Sequence, residues 1–223
     1  EGISLSVPAG SVVGFIGSNG AGKTTTIKAI LGLIRPDGGS ISLFGEEVTG
    51  APEKRLAQLK QRIGVVFDTV SVPGHLRVRD VARVMERAFT SWDARAFDRL
   101  AHAFDLDGAK QVKELSRGMG MKLSLACALA HNPDLLVLDE ATAFADPENE
   151  ALIQQALGRL AAGKTVLMIA HRLSTVTGAD VICVLDGGRV VERGRHDELC
   201  RAPGMYRRVC LLQGEAEEGG DEA

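Results

Sequence analysis

The stretch Gly17-Ser18-Asn19-Gly20-Ala21-Gly22-Lys23-Thr24 constrains this chain more than any other. It matches GxxxxGK[ST], directly after the apolar run Val12–Ile16 and directly before a helical stripe of Ile27, Ile30, Leu31 and Ile34. A buried strand that turns through glycines into a helix can close its backbone N–H groups around phosphate oxygens. The helix N-terminus adds positive partial charge, Lys23 reaches the β and γ phosphates, and Thr24 offers a hydroxyl to Mg²⁺. Gly17 to Thr24, together with Thr25, are the candidate phosphate-binding residues. The alternative is a plain glycine-rich turn.

The remaining pattern is α/β. Residues 135–138 (LLVL) and 166–170 (VLMIA) are continuously apolar, as strands buried on both faces are, whereas 3–7 (ISLSV) and 40–44 (SISLF) alternate like half-exposed strands. Residues 72–131 hold helical segments and no convincing strand. VICVL and RVVER, which flank Asp186-Gly187-Gly188, predict a hairpin. A second helical stripe falls on Ile153, Ala156, Leu157 and Leu160, with Asp146 and Pro147 as N-cap and first residue. The expected organisation is one domain over 1–213, with an α/β core at about 1–71 and 132–213 and a helical subdomain at about 72–131. An acidic, unfolded tail follows at 214–223.

With 223 residues, 45% of them hydrophobic, the chain can bury a genuine core, and its net charge of −3 gives no general attraction to nucleic acid. Cys127, Cys183, Cys200 and Cys210 show neither CxxC spacing nor a zinc-finger histidine, which predicts free thiols in a reducing compartment. No apolar run approaches the length of a membrane span, so a membrane role requires a partner. The chain opens at Glu1 without methionine and enters an apolar segment at once, which reads as a fragment whose natural start lies upstream.

Three further groups belong to the same strand edge. Asp139 and Glu140 follow the strand 135–138, where ligands of open α/β sheets gather. There Asp139 suits the Mg²⁺ shell, and Glu140 suits deprotonating an attacking water. His171 follows the strand 166–170 and is placed to contact the γ-phosphate or orient the water; a purely structural histidine is the alternative. In residues 114–119 (ELSRGM), Ser116 precedes a helix, as an N-cap or as part of an anion site.

Taken together, these residues resemble the ATP-binding domain of ABC transporters, over nearly the whole chain and in the family's order. GSNGAGKTT resembles its Walker A, LLVLDE its Walker B with Glu140 as catalytic glutamate, AFAD its D-loop, and His171 its switch histidine. LSRGM stands where the family usually has LSGGQ. The resemblance implies a P-loop NTPase core with a mainly parallel sheet, an antiparallel β edge and an inserted helical subdomain. It also implies ATP and Mg²⁺ as cofactors and a head-to-tail pair in which Ser116 and Gly118 serve the partner's ATP. A permease transmembrane domain would be driven by that pair in the direction of export, with this chain peripheral on the inner, cytoplasmic face of the membrane and substrate choice left to the permease.

Departures from the family pattern carry their own expectations. Asp68 stands where the family has a glutamine that touches Mg²⁺; its shorter, charged side chain could still approach the metal but would add repulsion near the triphosphate and Glu140, which predicts weakened or altered coupling without loss of binding. Arg117 and Met119 replace a glycine and a glutamine of the family's signature. The aromatic residue that stacks on adenine would lie upstream of Glu1. Residues 1–138 resemble exporters with separate ATPase chains and residues 139–223 resemble fused exporters, which predicts a recombined chain joined near Asp139, against ordinary divergence. The competing functions are a non-transport ABC ATPase and an ATP-binding regulatory module with little turnover.

Overall fold

The computed structural model describes residues 2–67, 69–139, 163–170 and 172–212. Six strands form its main sheet: β1 (Val12–Gly17), β4 (Ile63–Val66), β5 (Leu135–Asp139), β6 (Thr165–Ile169), β7 (Val181–Asp186) and β8 (Arg189–Gly194). Their spatial order is β4-β5-β6-β1-β7-β8, with every neighbouring pair parallel except β7 and β8. A separate two-stranded ribbon joins β2 (Ser42–Leu43) to β3 (Glu46–Glu47). The expected mainly parallel sheet with an antiparallel edge is therefore present.

The uninterrupted apolar runs are central strands because both faces of the sheet are covered. Leu136, Leu138 and Val166 pack into one core, while Val137, Leu167 and Phe15 pack into the other. Full burial of each such side chain contributes about 1.5–3 kcal/mol relative to leaving it exposed. On the second face lie α1 (Lys23–Ile30) and α2 (Glu53–Lys60), through Ile27 and Leu59. The start of β1 is fixed by an exchange with Asp180: the Val12 N–H donates to Asp180 Oδ2 at 2.9 Å, and the Asp180 N–H donates to the Val12 carbonyl at 2.9 Å.

Between β4 and β5 the chain forms α3 (Val78–Ala88), α4 (Ala94–Ala103) and α5 (Arg117–Ala130). Side-chain caps start two of them: Asp93 accepts from the Ala96 N–H at 2.9 Å, and Ser116 accepts from the Met119 N–H at 3.2 Å. Ten consecutive-to-near-consecutive positions of α5 are buried, from Gly120 to Ala130, because it packs against α3, α4 and β4 at once. His131 closes the joint. Its ring stacks on Phe89 at 3.9 Å, with Nδ1 3.4 Å from the Cys127 carbonyl and Nε2 3.2 Å from the Ile63 carbonyl. Burial holds this imidazole below its ordinary pKa, against the two carbonyl contacts, which favour the charged form.

After β6 come α6 (Leu173–Val176), the β7–β8 hairpin, α7 (His196–Arg201) and α8 (Met205–Leu212). Leu199, Tyr206 and Cys210 bury against the core beside Ile182 and Val184.

Three expectations need correction. Residues 3–7 form no hydrogen-bonded strand; Ile3, Leu5 and Val7 do pack on the core as their alternation predicts, but no strand among the described residues pairs with them. Of residues 40–44 only Ser42 and Leu43 are strand. Cys200 and Cys210 are joined in a disulfide with a Cα–Cα distance of 6.1 Å, and only Cys127 and Cys183 are free thiols, both buried. The sequence pattern carries no clear signal for β4 or for α2. The stripe 153–160, the Asp146-Pro147 start and the acidic tail lie outside the described residues.

Candidate nucleotide-binding site

The carboxyl ends of β1, β5, β6 and β7 lie level with one another. Phe15 and Asp139 are both in register with Ile169, and Gly17 is in register with Leu185. At this edge the chain leaves β1 through residues 18–22 and enters α1. At Gly17 the backbone passes so close to β7 that a Cβ would overlap the Leu185 carbonyl oxygen. Gly22, the N-cap of α1, has φ 99° and ψ 4°, a left-handed conformation that a side chain would strain. Gly22 has no side chain with which to cap α1, and among the described residues no side-chain cap hydrogen bond closes its N-terminus. The loop is tied down elsewhere: the Gly188 N–H in the β7–β8 turn donates to the Ala21 carbonyl at 3.2 Å.

Lys23 is only 5% exposed, although it begins the helix at the loop's mouth. Its ammonium folds back over the loop and donates to the carbonyls of Gly17 at 2.7 Å and Ser18 at 2.9 Å. The crest, Ser18, Asn19 and Gly20, is exposed. A fixed cation beside an uncapped helix N-terminus is suited to a polyanion such as a triphosphate.

Asp139 ends β5 and is 6% exposed. Its carboxylate reaches across the end of β6 to α1, where the Thr24 hydroxyl donates to Oδ1 at 3.4 Å. A hydroxyl and a carboxylate that converge beside the loop 17–22 are hard oxygen donors, the set that Mg²⁺ takes together with substrate phosphates. The residues present thus fit that ion.

Of the other candidates, Ser116 and Gly118 open α5, whose main contacts run to β4, α3 and α4. Ser116 is exposed and acts as an N-cap. Thr25 faces outward from the first turn of α1. Glu140, His171 and Asp68 lie outside the described residues, as does the segment 143–146.

A family model described as "ABC transporter" matches residues 1–143. The chain belongs to the ABC transporter family. It is an ABC nucleotide-binding domain, 38% identical over 223 residues to the mitochondrial ATP-binding cassette sub-family B member 10 of Mus musculus, covering 94% of this chain and 31% of that protein. It is 36% identical over 221 residues to the ATP-dependent lipid A-core flippase of Aliivibrio fischeri, covering 95% of this chain and 38% of the flippase. A solved bacterial Atm1-family ABC exporter with ATP bound superposes with a TM-score of 0.83 at 28% identity, over 98% of this chain and 39% of the exporter. The ABC domain therefore spans less than two fifths of the length of these three proteins. Each alignment runs across both sides of Asp139.

One cluster went unrecognised in the sequence: His196, Cys200 and Cys210, whose ligand atoms lie within 4.8 Å of one another. The readable signal was the four-residue spacing of His196 and Cys200 on a helix.

Proposed function

We propose that this domain binds ATP with Mg²⁺ at the loop 17–24 and hydrolyses it, in a head-to-tail pair with a second ATP-binding domain, to drive an export permease. The observation that carries the reading is the convergence of Lys23, Thr24 and Asp139 on one face of the loop. In this reading the backbone of Gly17 to Thr24 and the hydroxyl of Thr25 line the phosphates. Lys23 exchanges its contacts with the Gly17 and Ser18 carbonyls for phosphate oxygens. Thr24 and Asp139 hold Mg²⁺, which supplies charge neutralisation at the triphosphate.

Glu140, next in sequence to Asp139, takes the proton from the attacking water, and His171 orients that water against the γ-phosphate. Ser116 and Gly118 bring the N-terminus of α5 to the ATP held by the other domain of the pair, so hydrolysis requires both. Asp68 approaches the same metal and weakens coupling between the core and the helical segment. The functional unit is one domain over 1–213, docked on a permease at the cytoplasmic face of a membrane. Among the described residues no helix is long and apolar enough to cross a membrane.

The direction of transport is part of the proposal. The names of the relatives include a flippase and, at 38% identity over 220 residues, a mycobactin import ATP-binding/permease protein of Mycolicibacterium smegmatis.

Phosphate release by the purified chain tests the reading, with Glu140→Gln as the control. Wild type should turn over ATP with a rate that rises with the square of protein concentration, and Glu140→Gln should bind ATP without measurable turnover. Equal, slow release by both would leave a binding module in place of an ATPase. Asp68→Gln should shift the Mg²⁺ dependence of turnover, and an unchanged dependence would remove the role given to Asp68.

A further inference from the structure

The C-terminal helices place two four-residue pairs face to face. His196 and Cys200 share one side of α7, and Tyr206 and Cys210 share one side of α8. The turn at Ala202-Pro203-Gly204 brings them together, and the Glu192 carboxylate fixes the start of α8 by accepting from the Met205 and Tyr206 N–H groups. Cys200 Sγ lies 3.7 Å from His196 Nδ1 and 3.8 Å from Nε2. The Tyr206 hydroxyl sits 3.0 Å from Nδ1, with its ring edge-on to the imidazole. Tyr206 and Cys210 are fully buried, while His196 and Cys200 are half-buried, so the cluster opens to solvent on one side.

We propose that the reduced hairpin is a soft-metal site, taking one Zn²⁺-class ion through Cys200 Sγ, Cys210 Sγ and His196 Nε2, and that the Cys200–Cys210 disulfide is its oxidised, metal-free form. The geometry suits the ion. Tetrahedral zinc with Zn–S of about 2.3 Å and Zn–N of about 2.0–2.1 Å requires ligand atoms roughly 3.6–3.8 Å apart. The sulfur of Cys200 already stands at that distance from the imidazole. The two sulfurs must separate to about 3.8 Å, which side-chain rotation accommodates between Cα atoms 6.1 Å apart.

Two thiolates and a neutral imidazole balance the charge of a divalent ion, and water completes the fourth position on the open side. Tyr206 acts as a positioning residue: its hydroxyl engages Nδ1 and leaves Nε2 for the metal. A phosphine reductant and one water reduce the S–S bond to two thiols, and the phosphine leaves as its oxide. Binding of the ion then releases the two thiol protons.

The test uses the full chain without nucleotide, reduced with a water-soluble phosphine, desalted without oxygen and titrated with Co²⁺. Excess Mg²⁺ is present to occupy oxygen-ligand sites. The readout is the sulfur-to-cobalt charge-transfer band, which an oxygen site cannot produce. The reduced chain should develop the band to saturation at one equivalent, Zn²⁺ should abolish it, and the disulfide form should never show it.

Cys200→Ser and His196→Gln, which leave the buried residues of α8 intact, should weaken Co²⁺ binding by roughly 10- to 100-fold or more, and Tyr206→Phe by about tenfold. A Cys127→Ala/Cys183→Ala chain should retain the band. Thermal melting of each variant in its metal-free form separates loss of ligands from loss of fold. No band in the reduced wild type, or an undiminished band in Cys200→Ser or His196→Gln, would overturn the proposal. These outcomes are independent of ATP binding.

Discussion

The loop after β1 and the hairpin of α7 and α8 are both sites at the ends of β-strand segments, yet they are built from different materials. The loop is backbone: a close approach at Gly17, a left-handed Gly22 and an uncapped helix, with Lys23 folded over them. Its parts are contiguous in sequence, so its chemistry is local. The hairpin cluster is side chain: His196 and Cys200 from one helix, Tyr206 and Cys210 from the next, assembled by a turn and by Glu192. Backbone sites tolerate changes at the crest and fail when the path of the chain is altered. Side-chain sites fail when one donor is lost and leave the fold intact.

The largest effect expected from this contrast is at Gly17. A methyl group in Gly17→Ala would meet the Leu185 carbonyl of β7, and since backbone cannot rotate away, the loop must shift. Overpacking of this kind costs about 1–3 kcal/mol, and ATP affinity should fall with stability; denaturant unfolding and nucleotide titration on one sample check both. If Gly17→Ala binds ATP as wild type does, the loop is not held by backbone contact.

Asp139→Asn should act more narrowly. It keeps the shape and a hydrogen-bonding partner for Thr24 but removes the charge, so ATP affinity should lose its dependence on Mg²⁺, by roughly tenfold at saturating metal. Calorimetric titration with and without Mg²⁺ reads the difference. An Mg²⁺ effect equal to that of wild type would place the ion elsewhere.

His131 belongs to neither region and serves as a control on the fold. Its folded pKa lies below the ordinary value. The unfolded chain therefore takes up a proton first as pH falls below about 6.5, and stability present above that pH is lost on the way down, by at most about 1.4 kcal/mol per pH unit. His131→Gln should flatten that part of the pH profile in chemical denaturation between pH 7 and 5.5. An unchanged slope would show that the buried imidazole is not its source.

The smallest effect sharpens the contrast most. Cys200→Ser should leave ATP affinity within about a factor of two, because Cys200 belongs to the α7–α8 pair while the loop joins β1 to α1, and changes at independent sites add without coupling. A tenfold change would mean that the two regions are coupled.

The sequence made the loop, β5 and β6 legible because buried parallel strands are continuous apolar runs and the glycine pattern is contiguous. It also revealed the β7–β8 hairpin through Asp186-Gly187-Gly188. It hid β4, whose four residues include Gly64, and α2, which buries only Leu59 and is polar apart from Leu56, Ala57 and Leu59. Residues 3–7 alternate correctly yet lack a strand to pair with, a fact set by distant parts of the chain. The Cys200–Cys210 pairing was invisible for the same reason, since it depends on how α8 folds back on α7.

The account rests on Lys23 and the loop as the holder of a triphosphate. Equilibrium titration of Mg²⁺-ATP against wild type and Lys23→Ala tests this most directly, with thermal melting to confirm that both are folded. The account predicts a loss of affinity of roughly 10- to 100-fold in Lys23→Ala, from removal of charge-assisted hydrogen bonds, with little change in melting. Equal affinity in the folded variant would contradict it.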